Sequence, residues 1–451
     1  MLEQAALWQA NKRRKILSSL KHIRPFPQLG RVRKVIGTMI EVDGLHASIG
    51  RACDIQAVDE ETIEAEVVGF RDTNTILMPV GRIRGIAPGN AVRLRPSMPG
   101  MNMGPELLGR ILDGLGRPID DMPLKPSGGF RPLHGERINP CHRHGVDTPL
   151  QLGVRAIDAC LTVGNGQRIG LFSAAGVGKS SLMGMMAKNS NADVNVIALV
   201  GERSREVREF IHDNLGEDAL QHSVVVVSTS DAAPVVRIRA VLLASTIAEY
   251  FRDQGRQVLM MMDSLTRFAQ AQREIGLMLG EPPASKGYTP SCFAAMAEML
   301  ERAGPGSGPG NISGLYTVLV EGDDISGDPV ADTAISILDG HIVLSRALAE
   351  QGHFPAIDLL RSVSRLSHRL CSVATLKAAR SLRKELALYE RMEDMVNMGA
   401  YERGSNPELD KVIQRMPSIR AFLQQQQDEH VSLDDATRLL IETMASQREE
   451  N

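Results

Sequence analysis

Between Gly30 and Pro96 apolar and polar residues alternate in short runs broken by turn signals. Segments 35–42, 64–70, 75–79 and 92–95 read as strands, with Asp43-Gly44 and Pro88-Gly89-Asn90 as turns. Strands this short and closely spaced predict a small β-barrel over 26–97. Upstream, Leu2, Ala5, Ala6, Trp8, Ile16, Leu17 and Leu20 recur near helical spacing around the basic cluster Lys12-Arg13-Arg14-Lys15. A helix over 1–25 follows, ended by Pro25 and Pro27 and suited to its own barrel, a partner or anionic lipid.

A Gly/Pro-rich stretch, 97–149, reads as a connection. From Arg168 the texture changes: apolar strands at 168–172, 194–200, 224–227, 258–262 and 315–320 alternate with helical patterns. That alternation predicts an α/β fold, a parallel sheet covered by helices on both faces, over 98–365. The glycine-rich segment 304–310 is expected to be irregular and mobile. After Arg365 strand signals stop. Leu382, Leu386, Tyr389, Met392 and Val396 share one helical face, so 366–451 is expected to be a C-terminal helical domain.

Composition narrows the function. The 451 residues give room for about three domains. A net charge of -3, with 4% aromatic residues and a single tryptophan, argues against a nucleic-acid partner. Five scattered cysteines lack zinc or redox spacing, as expected of reduced thiols. The N-terminus shows no signal-peptide apolar region and no segment has the apolar length of a membrane span. The expectation is a cytoplasmic or membrane-peripheral protein.

The chemistry begins at Ser173-Ala174-Ala175-Gly176-Val177-Gly178-Lys179-Ser180, which follows a strand and, with Ser181, opens an apolar helix. This is the context a phosphate-binding P-loop requires. Glycines at 176 and 178 let backbone N–H groups curl around phosphate oxygens, and the helix N-terminus adds partial positive charge. Lys179 reaches the β- and γ-phosphates of ATP, and the Ser180 hydroxyl is a Mg2+ ligand. Ser173 stands where glycine is usual. Asp263, ending the apolar strand 258–262, is the second metal partner. Glu202 ends another strand. It either orients the water attacking the γ-phosphate or pairs with Arg203 or Arg205.

Longer motifs carry a resemblance. Gly201-Glu202-Arg203-Ser204-Arg205-Glu206-Val207 resembles a signature of the F-type and V-type rotary ATPases, with Ser204 replacing glycine. Asp263-Ser264-Leu265-Thr266-Arg267-Phe268-Ala269, Gly280 through Tyr288, Glu321-Gly322-Asp323-Asp324 and Ile337 through Arg346 are similar to the type III secretion export ATPases, which serve flagella and virulence injectisomes. The resemblance covers nearly the whole chain from Gly30 and implies a RecA-like P-loop ATPase core. It assigns water activation to Glu202, with Arg203 in the same pocket, and puts Arg267 near the phosphates. Phe354 stands where the family has an adenine-packing tyrosine. Arg365 matches an arginine finger that reaches a neighbouring subunit's site. The implied assembly is a homo-hexamer. Its partners would be an export regulator, central-stalk proteins and chaperone–substrate complexes at the inner-membrane export gate. The spelling of the P-loop and of Ala284-Ser285-Lys286-Gly287-Tyr288 looks flagellar. The alternatives are an injectisome ATPase and a catalytic subunit of a rotary ATP synthase; a Rho-type RNA translocase and a non-catalytic ring subunit fit less.

Overall fold

The computed structural model describes residues 29–445 apart from 60, 82, 136–137, 321–324 and 326. The helix expected over 1–25 and the motif Glu321-Gly322-Asp323-Asp324 lie outside the described residues. The chain divides into two units, 1–99 and 100–451.

In the first unit, β1 (Leu29–Ile36), β2 (Met39–Asp43), β3 (Ala52–Gln56), β4 (Thr62–Arg71), β5 (Asn74–Pro79) and β6 (Ala91–Leu94) close a barrel in the order β1-β2-β5-β4-β3-β6. Burial alternates along β4, as a strand with one core-facing side requires. Its inward residues, Ile63, Ala65 and Val67, meet Val32, Ile40, Ile55 and Leu77 in the interior. The single strand expected over 35–42 is instead a hairpin. Ile36 pairs with Met39, and Gly37 turns at φ 56°. The break is only two residues long, Gly37-Thr38, between the apolar Ile36 and Met39.

Among the described residues the second unit carries a nine-stranded sheet. Its strands include β7 (Arg110–Asp113), β8 (Arg168–Ser173), β9 (Val194–Glu202), β10 (Ser223–Thr229), β11 (Gln257–Asp263), β12 (Asn311–Leu319), β13 (Gly340–Leu344) and β14 (Ile357–Ser364). Eight strands run in the order β14-β13-β8-β12-β11-β9-β10-β7, parallel except for the antiparallel edge pair β13–β14, and the ninth, Gly304–Pro305, pairs antiparallel with β12 off this path. The stretch 97–149 is therefore more than a connection: it supplies the edge strand β7, paired with β10. The segment 304–310 also departs from expectation. Gly304 and Pro305 pair antiparallel with Ile312 and Asn311, and the Gly306 N–H donates to the Gly310 carbonyl at 3.1 Å. Its glycines serve close approach, since a Cβ on Gly310 would lie 2.1 Å from the Arg252 carbonyl oxygen.

Two cores flank the sheet. On one face α2 (Pro234–Asp253), α3 (Leu265–Leu279) and α4 (Pro290–Leu300) bury residues such as Val241, Phe268 and Met296. On the other, α1 (Lys179–Asn189) shares a core with α5 (Val373–Asn397), α6 (Pro407–Leu423) and α7 (Leu433–Ala445), through Met183, Leu382, Ile419 and Leu440. Leu382 is fully buried, and Leu386 and Tyr389 pack beside the same core. The C-terminal helices thus close over the face that carries the phosphate-loop helix. Among the described residues no helix is long and apolar enough to cross a membrane.

Candidate functional site

In an open parallel sheet the carboxyl ends of central strands gather polar groups at one edge. Here β8 ends at Ser173, β9 at Glu202 and β11 at Asp263. The loop after β8 turns through Gly176 at φ 80° and Gly178 at φ 88°, values open to glycine and costly for other residues. Gly178 caps α1, so the first helical N–H groups face the loop's concavity. Ala174 and Val177 are buried and anchor the loop, while Ala175 and Gly176 are exposed at its tip. Ser180 and Ser181 are half-buried in the first turn of α1. The Ser173 hydroxyl is buried without a hydrogen-bond partner.

Lys179 holds the charges of this edge together. Its Nζ lies 2.5 Å from Asp263 Oδ1 and 4.0 Å from Glu202 Oε1, and all three side chains are nearly buried. Thr317 Oγ1 donates to the same Asp263 oxygen at 2.7 Å. Sequence reasoning missed Thr317. The available signal was a hydroxyl inside the otherwise apolar run 315–320. Burial, reinforced by the Asp263 charge and only partly offset by Lys179, pushes the Glu202 carboxyl up to about 7. Its buried Oε1 has no hydrogen-bond partner. A carboxylate with a raised affinity for protons and an unused acceptor is equipped to take a proton from a nearby donor.

The remaining predicted residues separate. Arg267, in the first turn of α3, lays its aliphatic carbons against Gly201, where a Cβ would come within 2.9 Å of Arg267 Cγ. It thus lies beside the end of β9, and its Nη1 donates to Gln270 at 3.1 Å. Phe354 is 46% exposed, and its ring would meet a Cβ on Gly178 at 3.5 Å. An open aromatic face therefore adjoins the phosphate loop. Arg203 is not brought in. Its side chain is 80% exposed and pairs with Glu206 at 3.6 Å. Successive side chains at a strand end point in opposite directions, so a buried Glu202 turns Arg203 outward. Arg365 lies beyond the far end of β14, exposed, with Nη2 donating to the Ile335 carbonyl at 3.1 Å. The eight residues of β14 separate it from the Phe354 end by roughly 26 Å at strand rise.

A phosphate cradle, a lysine held by a strand-end carboxylate and a proton-seeking glutamate define a class, the P-loop nucleotide hydrolases. The comparisons narrow it. The nucleotide-binding domain of the ATP synthase alpha/beta family matches residues 153–364, its β-barrel domain 32–94, and the T3SS EscN ATPase C-terminal domain 371–442. The flagellum-specific ATP synthase of Pseudomonas aeruginosa is 47% identical, over 92% of this chain and 93% of its own. The type 3 secretion system ATPase of Xanthomonas euvesicatoria is 45% identical, over 91% and 93%. The assembled ATPase EscN of the enteropathogenic E. coli type III secretion system superposes with a TM-score of 0.86 at 41% identity, covering 92% of this chain and all of that one. A second structure holds EscN with its central stalk EscO, at TM-score 0.84. The chain belongs to this family of flagellum-specific and type III secretion ATPases, and it is an ATP-hydrolysing enzyme.

Proposed function

We propose that the chain is the ATP-driven motor subunit of a type III protein export apparatus, in flagellar service, working as a ring of six identical copies. The observation that carries the ring is the separation of Phe354 and Arg365 along β14. An arginine roughly 26 Å along the sheet from its own nucleotide edge is available to a neighbour's nucleotide and not to its own. A head-to-tail interface of this kind closes into a ring where the rotation permits.

Magnesium fits the donors present. The Ser180 hydroxyl, in the first turn of α1, and the Asp263 carboxylate, at the end of β11, are hard oxygen donors that would hold it. Among the described residues no group of three or more His, Cys, Asp or Glu forms an all-protein cage. A small cation held by one carboxylate, phosphate and water needs no more. When bound with ATP it neutralises charge on the β- and γ-phosphates. In this reading Lys179 exchanges Asp263 for phosphate oxygens, Glu202 accepts hydrogen bonds from the attacking water, and the neighbour's Arg365 meets charge developing on the transferred group. Arg267 buttresses the Glu202 turn. Arg203, turned outward, has no step in this sequence. Turnover drives chaperone release and substrate unfolding at the cytoplasmic face of the inner membrane. The partners are a regulator, a central stalk of the kind seen with EscN, and chaperone–substrate complexes; no nucleic acid takes part.

Activity per subunit rises with protein concentration in this account, as assembly brings Arg365 to each site, and Arg365→Ala keeps ATP affinity while losing about 10³-fold or more in rate. High activity in a demonstrated monomer, independent of concentration, contradicts the reading.

A further inference from the structure

Gln425 lies 71 residues beyond Phe354 in sequence, in the link between α6 and α7, yet its backbone N–H donates to the Phe354 carbonyl at 3.0 Å. The Phe354 ring is half-exposed, so packing alone does little to fix it. The Gln425 side chain, by contrast, is 5% exposed and fully engaged. Its Oε1 accepts the Arg155 N–H at 2.8 Å, and its Nε2 donates to the Gly153 carbonyl at 2.8 Å and the Glu429 carbonyl at 2.9 Å. Arg155 in turn pairs with Glu429 at 2.7 Å and donates to the Gln424 carbonyl. A buried amide with every contact satisfied fixes the backbone it belongs to. The same link reaches the far end of α1, where His430 Nδ1 lies 3.2 Å from Asn189 Oδ1.

We propose that Gln425 is a positioning residue for nucleotide-base recognition: its buried amide holds the backbone N–H that sets Phe354 beside the phosphate loop. The inference rests on the reading of Phe354 as the base-stacking residue. Phosphate binding does not use this anchor, because the cradle is built by β8 and α1. Base affinity and phosphate affinity therefore separate when the anchor is removed.

The test is equilibrium binding of Mg-ATP and of magnesium tripolyphosphate, which has no base, to the full chain and to Gln425→Met, Phe354→Ala and the double variant. Methionine keeps length and apolar bulk and loses all three side-chain hydrogen bonds. A stacked base contributes on the order of tenfold or more in affinity. Gln425→Met is expected to weaken ATP about tenfold and leave tripolyphosphate unchanged, with KM rising more than kcat falls, and to add little when Phe354 is already alanine. Equal weakening or loss of both ligands makes Gln425 part of the general scaffold and overturns the proposal. Unchanged ATP affinity in Gln425→Met overturns it too. If Phe354→Ala itself leaves the ratio of the two affinities unchanged, the reading of Phe354 is what fails.

Discussion

Glu202→Gln separates binding, catalysis and stability in one substitution. Glutamine keeps the shape of the side chain and removes its charge and its capacity to accept a proton. A proton-transfer group contributes about 10²–10⁴ in rate, or roughly 3–5 kcal/mol of barrier. Mg-ATP affinity is expected to stay near native, since Lys179, Ser180 and the loop backbone remain. Stability moves the other way. The Glu202 carboxyl rises from 4.5 to about 7, chiefly by burial and then by the Asp263 charge. A carboxyl raised in the folded state leaves the protein most stable below the unfolded value near 4.5, and that stability is lost as pH climbs through about 7. The ionised group therefore costs on the order of 3 kcal/mol at pH 8, which Gln avoids. Urea unfolding of nucleotide-free protein should find Glu202→Gln more stable than wild type at pH 8 and equal to it near pH 4.5, with ATPase activity nearly absent. A near-native rate, or a stability difference that does not change with pH, refutes the reasoning.

Three further substitutions probe other links. Lys179→Ala abolishes hydrolysis and weakens ATP binding. It also leaves Asp263 and Glu202 as neighbouring buried carboxylates, so urea unfolding of the apo protein loses about 3 kcal/mol; native affinity and stability in the variant would exclude the assignment. Thr317→Val removes the hydroxyl that donates to Asp263 at 2.7 Å and costs about 1–3 kcal/mol, read by urea unfolding together with a fall in kcat/KM. An unchanged kcat/KM would make that hydrogen bond incidental. Leu382→Ala, at a fully buried position, lowers stability by about 2–5 kcal/mol in a single cooperative transition. A separate early transition for α5–α7 would show that these helices do not share the core of the sheet.

Legibility in the sequence followed the range of the interactions. The phosphate loop is a contiguous string whose strand, glycines and lysine share one short segment, and Asp263 ends an uninterrupted apolar run, so both could be read locally. The turn at Gly37 and the strand Arg110–Asp113 could not. The first is a break of only two residues, Gly37-Thr38, between Ile36 and Met39, and the second gains its partner from Val224–Val227, more than a hundred residues away. The segment 304–310 looked mobile because glycine signals freedom in isolation, whereas here glycines admit a second backbone. Arg203 shows a limit of motif transfer. The resemblance placed it in the pocket with Glu202, and alternation at the strand end turned it to solvent. Thr317 and Gln425 act through contacts distant in sequence: the hydroxyl within 315–320 is a local signal that names no partner, and Gln425 carries no local signal.

The ring with shared sites is tested most directly by mixing two inactive variants. Arg365→Ala supplies an intact Glu202, and Glu202→Gln supplies an intact Arg365. Random assembly in equal parts makes about a quarter of the interfaces competent. ATPase activity, absent from either variant alone, is expected to return to a measurable fraction of wild type on mixing. A mixture that stays inactive while mixed rings are demonstrably formed contradicts completion of each site by a neighbour's Arg365.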